Sequence, residues 1–246
     1  MFAAELLKIR SMPAPRLALI ISLALVVIAA VIVAIVGPTG ANASAYYDAP
    51  ATAASIAVSV GAIVLGAWMI GLEFASKTMR LAATVQPSRL RLLAVKFVCA
   101  LLLVLFYSLV VLALSLLIEA LMASIGSVSF PFSAQLDDSI SLLLQSLLWG
   151  AFAFALALLF RSYTAGLVGT LVFSLLVDPA LQLIPTVGKY SFNSAATAIG
   201  DLTTGGSSFG TGAPSLALGV ALITAAGWLV VVIGAGSARF ISRDLG

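Results

Sequence analysis

The chain has 246 residues, of which 62% are hydrophobic and only 9% are charged. This composition leaves too little polar surface to cover a water-soluble globule, and it indicates a protein with several membrane spans. The net charge of +3 does not indicate nucleic-acid binding, because the basic residues cluster beside apolar segments, where they set membrane topology. With no histidine and only one cysteine, the chain lacks the commonest metal ligand and the commonest general base, so we expect no metal site.

Residues 1–16 precede the first predicted span. Apolar and charged residues alternate there at helical spacing, and Pro13 and Pro15 follow. The pattern predicts an amphipathic helix that lies in the cytoplasmic membrane interface. A basic tail that only sets topology is the alternative.

Six apolar segments follow, each long enough to cross about 30 Å of hydrocarbon as a helix. The sequence therefore predicts an all-α fold in a single transmembrane domain covering residues 1–246. The predicted spans are 17–36, 51–72, 97–118, 139–160, 165–184 and 215–238.

The basic residues predict the orientation of these spans. Six spans place both termini on one side, and every Lys and Arg except Lys189 falls on that side. Because loops rich in Lys and Arg stay in the cytoplasm, both termini are expected to be cytoplasmic. The short connection at Arg161 predicts that the fourth and fifth spans are antiparallel neighbours.

The loop 73–96 between the second and third spans holds five of the twelve Lys and Arg residues. Its first part, from Glu73 to Gln86, contains no Pro or Gly and ends just before Pro87, which predicts a short helix. A basic segment then leads into the third span. The loop is a candidate docking element for a cytoplasmic partner.

The spacing of Glu73, Thr78, Pro87 and Lys96 resembles that of the transmembrane subunits of type-2 ABC exporters, the ABC-2 permease family. Lys77 stands where many members have glycine. The resemblance implies that the loop is a coupling helix, which fits a cleft on a separate ATP-binding subunit. The residues that it assigns to docking are Glu73, Lys77, Thr78, Arg80, Pro87, Arg89, Arg91 and Lys96.

The resemblance extends to the end of the fifth span. Asp178-Pro179 and Pro185 interrupt helical hydrogen bonding there. Members of the family have short re-entrant helices at this place, followed by a polar external loop. We therefore expect a re-entrant segment between the fifth and sixth spans, within an external loop at 185–214.

The chain has no P-loop of its own, since its only Gly-Lys pair, Gly188-Lys189, lacks the required pattern and is predicted to lie outside the cell. The family resemblance then implies that ATP and Mg²⁺ bind a partner ATPase subunit, present in two copies, and that this chain carries no cofactor. It also implies a second permease subunit, within the plasma membrane of a bacterium; a homodimer is expected, with a heterodimer as the alternative.

Four polar residues within or near the spans are candidates for a cargo path: Glu119, Asp178, Tyr107 and Gln145. The two carboxylates lie near the outer interface, where we expect them to be hydrated, and they would form an acidic vestibule for a cationic or amphiphilic cargo. Solvated residues at span ends are the alternative for the carboxylates. Bonds between helices are the alternative for Tyr107 and Gln145.

The sequence thus predicts the permease of an ATP-driven exporter for an amphiphilic cargo, such as a drug, an antimicrobial peptide or a lipid-like molecule. Three alternatives stay open. The first is a stand-alone secondary transporter or channel, although the spans offer few ionisable groups for a coupling ion. The second is an intramembrane protease, which would lack histidine as its base. The third is an ABC complex for peptide sensing and immunity.

Overall fold

Helices make up nearly all of the chain that the computed structural model describes, namely residues 12–36, 44–75, 89–184, 186–201 and 216–242. No strand occurs in these ranges. The helices in chain order are α1 (Pro13–Val36), α2 (Ala45–Ala75), α3 (Arg89–Ile125), α4 (Phe132–Phe160), α5 (Tyr163–Val172), α6 (Asp178–Gln182), α7 (Phe192–Gly200) and α8 (Leu218–Ser242). A π-helical turn, Phe173–Val177, joins α5 to α6, and a 3₁₀ turn, Gly188–Tyr190, precedes α7.

Six helical segments are long and apolar enough to cross a membrane, with α5, the π-helical turn and α6 together forming the fifth. The predictions of an all-α fold and of six spans are confirmed. The predicted interfacial helix falls mainly on residues 1–11 and the coupling helix mainly on 76–88. Both segments lie outside the described residues.

Helices α2 and α3 extend well beyond the apolar segments that predicted them. At 37 residues, α3 is about 55 Å long, whereas the hydrocarbon core is about 30 Å thick. The helix continues because its backbone hydrogen bonds are satisfied within the helix in lipid and in water alike. As a result Glu73 and Lys96, predicted to be loop residues, lie inside α2 and α3.

Contacts between side chains show that neighbouring spans alternate in direction. Ser22 of α1 and Ala57 of α2 meet at Tyr107 of α3, while Val26, further along α1, packs with Ala53 and Ala54, earlier in α2. The end of α4 packs against the start of α5, as expected for the short turn at Arg161. The bundle therefore has a basic end, with Arg16, Arg91, Lys96, Arg161 and Arg239. It also has an acidic end, with Asp48, Glu119, Asp137, Asp138, Asp178 and Asp201.

Helix α2 lies at the centre of the bundle and contacts α1, α3, α4 and α5. In its most apolar window 78% of the residues are buried, against 17% in α1 and 11% in α8. Glycines allow this packing: a Cβ atom on Gly66 would overlap the carbonyl of Gly150 in α4, and one on Gly61 would overlap the ring of Tyr107. Small residues at helix contacts are how membrane helices approach closely.

The fifth span is interrupted where the sequence predicted a break. Pro179 lies in the first turn of α6 and provides no N–H, and its ring would clash with the carbonyl four residues earlier in a regular α-helix. The π-helical turn immediately before it accommodates the mismatch. A short helix, α7, follows as expected after the fifth span, and its re-entry into the membrane stays a prediction.

An aromatic cluster holds α7 against the bundle. Phe192 at the start of α7 packs on Trp149 and Phe152 of α4, with ring centroids 4.9 and 4.7 Å apart. Phe173 of the π-helical turn joins the same cluster. The indole N–H of Trp228 in α8 donates to the Tyr190 carbonyl at 3.1 Å. Helix α4, the π-helical turn and α8 thus meet at the start of α7.

Candidate functional site

A buried ion pair joins α2 and α3 where they flank the predicted coupling loop. Lys96 Nζ donates to Glu73 Oε1 at 2.5 Å, and the two side chains are only 2% and 9% exposed, respectively. Glu73 is two residues from the end of α2, and Lys96 lies about two turns into α3. Both residues were predicted to dock a partner subunit, but in this structure their charges face each other, so they fix the two ends of the loop.

The structure describes only some of the other predicted docking residues. Arg91 is exposed at the basic end. Arg89 begins α3, but its side chain lies outside the described part of the chain. The whole residues Lys77, Thr78, Arg80 and Pro87 also lie outside it. Docking by this loop therefore stays a prediction.

A second contact at the basic end joins two arginines. Arg161 ends α4 with a left-handed backbone, φ 53°, and its guanidinium Nη2 donates to the Arg239 carbonyl in α8. Arg239 Nη1 donates in return to the Leu159 carbonyl at 3.3 Å. Cations at helix C-termini are favourable because the last carbonyls lack partners. These two hydrogen bonds join the end of α8 to the end of α4, and no sequence motif predicted them.

Glu119 at the acidic end is buried, at 2% exposure, so the expectation that it is hydrated is wrong. The reason is that α3 extends to Ile125, which places Glu119 within the helix packing and not at its edge. Its Oε1 accepts a hydrogen bond from the Ser115 hydroxyl, one turn earlier in α3. Its Oε2 is buried with no hydrogen-bond partner in the described chain.

Asp178 is also fully buried rather than hydrated, because α7 folds back over it. Its Oδ2 accepts from Gln182 Nε2 at 2.8 Å and from the Ser191 hydroxyl at 3.2 Å, and its Oδ1 accepts from the Asn193 backbone N–H at 3.1 Å. A carboxylate at the N-terminus of a helix satisfies free amide groups there. Asp178 therefore joins the interrupted fifth span to α7.

Tyr107 and Gln145 make different contacts. The Tyr107 hydroxyl donates to the Ala57 carbonyl at 2.8 Å and lies 2.5 Å from the Ser22 hydroxyl, so it connects three helices, which confirms bonding between helices. Gln145 bonds Ser141 within α4 at 3.1 Å, and it is half-buried. A role in a cargo path stays a prediction for Glu119, Asp178, Tyr107 and Gln145.

Asp201 completes the acidic end, just after α7. Partial burial raises the pKa of its carboxyl, because desolvation disfavours the charged form. Among the described residues, only Lys189 carries a positive charge at this end. The acidic end is therefore suited to positively charged molecules and unsuited to anions.

Comparison with known proteins assigns a family. The sequence model of the ABC-2 family transporter proteins matches residues 1–177, which include the first four spans, the loop between α2 and α3, and most of the fifth span. No curated protein matches the chain.

Proposed function

The chain belongs to the ABC-2 family of transporter proteins, and from that premise we propose that it is the membrane-spanning permease of an ATP-driven exporter. The loop between α2 and α3 would be the docking element, and its basic residues would face the cytoplasm. Two ATP-binding subunits would supply ATP hydrolysis with Mg²⁺. This chain would contribute no catalytic residue and would convert their movement into transport.

The observation that carries the proposal is the Glu73–Lys96 ion pair at the base of the loop. A force applied to the loop moves the helices only if the loop is rigidly attached to them. Otherwise the force would only bend the loop. Because the pair joins α2 to α3, a force on residues 76–88 would act on both helices together. Helix α2 contacts α1, α4 and α5 as well, so the movement would reach the core of the bundle.

Cargo would pass between two copies of the chain in a homodimer, since one copy supplies six spans. The acidic end, with its single described cation, favours a cationic or amphiphilic cargo such as an antimicrobial peptide or a drug. Export, in contrast to uptake, would release the cargo at this end. An ABC complex for peptide sensing and immunity would use the same parts, and a stand-alone secondary transporter would work without ATP.

Charge reversal tests the docking element. The variant K77E/R80E should lose co-purification of the ATP-binding subunit, because two cations on the predicted coupling helix become anions, while the permease still inserts into the membrane. K189E is the control, since it reverses one cation at the opposite end. If the ATP-binding subunit co-purifies with K77E/R80E as well as with the wild type, the docking assignment is wrong.

A further inference from the structure

A small cavity of about 40 Å³ lies between α2, α3 and α4 at the acidic end. Glu119 and Ser115 of α3 and Ser55 of α2, which are all buried, contribute to its wall. Asp138 and Ser139 of α4 also line it and are half-buried. The cavity therefore has a buried polar side and a partly exposed acidic rim.

A buried carboxyl group such as that of Glu119 is stabilised by a positive group, which is either a proton or a cation. Its Oε2 is buried without a hydrogen-bond partner in the described chain, and a buried carboxylate is costly unless it is paired. No described Lys or Arg forms an ion pair with it. The nearby charges that act on it, Asp138 and Asp48, have the same sign and increase the cost.

The hydroxyl groups around the cavity are oriented as acceptors. Ser55 donates its proton to the Thr52 carbonyl at 2.8 Å, Ser139 donates to the Gln135 carbonyl at 2.8 Å, and Ser115 donates to Glu119. A hydroxyl whose proton is already engaged offers only lone pairs to a further ligand. The wall thus presents hydroxyl lone pairs, and Glu119, which has one carboxylate oxygen without a described partner, also lines it, which suits a cation and not an anion.

We propose that this cavity binds a small monovalent cation, either a free ion such as Na⁺ or the terminal ammonium group of a cargo molecule. The volume holds a few water-sized groups at most, so only the tip of a larger molecule would enter. A divalent metal fits poorly, because no group of three His, Cys, Asp or Glu residues suited to a metal is found among the described residues.

Thermal unfolding of the purified full chain in nanodiscs tests the proposal. NaCl is compared with N-methyl-D-glucamine chloride at equal ionic strength, so that screening stays constant. A bound cation stabilises the folded state by mass action, and we expect a saturable rise in Tm of about 2–4 °C. E119Q should abolish the rise. D137N, which removes a charge beside the cavity without altering its lining, should keep it.

Two amines distinguish the sources of the cation. If the cavity takes an ammonium tip, butylammonium raises the Tm and butyltrimethylammonium does not, because three methyl groups make the head too large. If it takes a free ion, Na⁺ alone raises the Tm. S115A serves as a second variant if E119Q does not fold, and it should shift half-saturation to higher concentration at least threefold.

The proposal is overturned if neither Na⁺ nor butylammonium raises the Tm of the wild type. It is also overturned if E119Q folds and its Tm rises with the cation as much as that of the wild type. If only S115A folds, the proposal is overturned when the cation concentration at half-saturation is the same as in the wild type. The measurement needs no ATP-binding subunit, so its outcome does not depend on the docking proposal.

Discussion

The two ends of the α2–α3 pair hold a buried glutamate in different ways. At the basic end, Glu73 has a cation at 2.5 Å within the same chain. At the acidic end, Glu119 accepts a hydrogen bond from a neutral hydroxyl, and no described Lys or Arg forms an ion pair with it. A buried charge that is compensated within the fold serves the structure, whereas one that is left uncompensated indicates a ligand or a proton.

Breaking the compensated pair should have the largest effect. K96M leaves Glu73 buried beside a methionine, and we expect a loss of about 3–5 kcal/mol in the free energy of unfolding, because an unpaired buried charge remains. Thermal unfolding of the full chain in detergent measures the loss. The double variant E73Q/K96M should recover most of it, since both charges are gone. A single K96M variant as stable as the wild type would show that the pair does not hold the loop base.

Asp178 is a third buried carboxylate, and its compensation comes from hydrogen bonds alone. D178A removes three acceptor contacts, to Gln182, Ser191 and Asn193, and should cost about 2–3 kcal/mol. The loss should be local, so hydrogen exchange in residues 186–201 should accelerate more than exchange in α2. D137A is the matched control at the same end. Uniform acceleration across the bundle would argue against a local role in holding α7.

Tyr107 shows what a neutral buried group contributes. Y107F removes the hydroxyl that bridges Ser22 and Ala57 and should cost about 1 kcal/mol, because both partners retain or regain bonds within their own helices. F106L, on the exposed face of α3 in the same turn, is the control for a substitution that removes no hydrogen bond. A Tm drop as large as that of K96M would mean that the hydroxyl network, and not the ion pair, dominates.

The smallest stability change is expected at Glu119 when no small cation is supplied. In N-methyl-D-glucamine chloride, E119Q should match the wild type or exceed it by up to about 1 kcal/mol, because an uncompensated charge is removed without a change in shape. E73Q, in contrast, removes the carboxylate that pairs with the buried ammonium group of Lys96. This variant should have a lower free energy of unfolding than the wild type in every salt. Equal losses from E119Q and E73Q under these conditions would remove the distinction between the two ends.

Much of the fold could be predicted because lipid imposes simple rules on sequence. Apolar segments of sufficient length predict spans, Pro179 predicts the interruption of the fifth span, and the short turn at Arg161 predicts antiparallel neighbours. The bonding of Tyr107 between helices followed from the cost of a lone hydroxyl among apolar groups. Each of these signals lies within a short segment, so one amino-acid sequence is enough to read them.

The site was less predictable, because its contacts depend on register between distant segments. Glu73 and Lys96 stood in the sequence as loop charges, and only the extension of α2 and α3 brought them together inside the bundle. Ser191 gave no signal as a partner of Asp178. Ser115 did offer one, since a serine four residues before Glu119 lies on the same helical face.

The sequence by itself determined that the chain has six segments long and apolar enough to cross a membrane, because the cost of burying polar groups in lipid acts on each segment separately. The charges of its loops predicted which ends face which side. The tertiary structure decided which charges are compensated. Pairing depends on where antiparallel helices meet and how far they extend, and glycines such as Gly61 and Gly66 set how closely they approach. The contrast between Glu73 and Glu119 therefore appears only in the folded bundle.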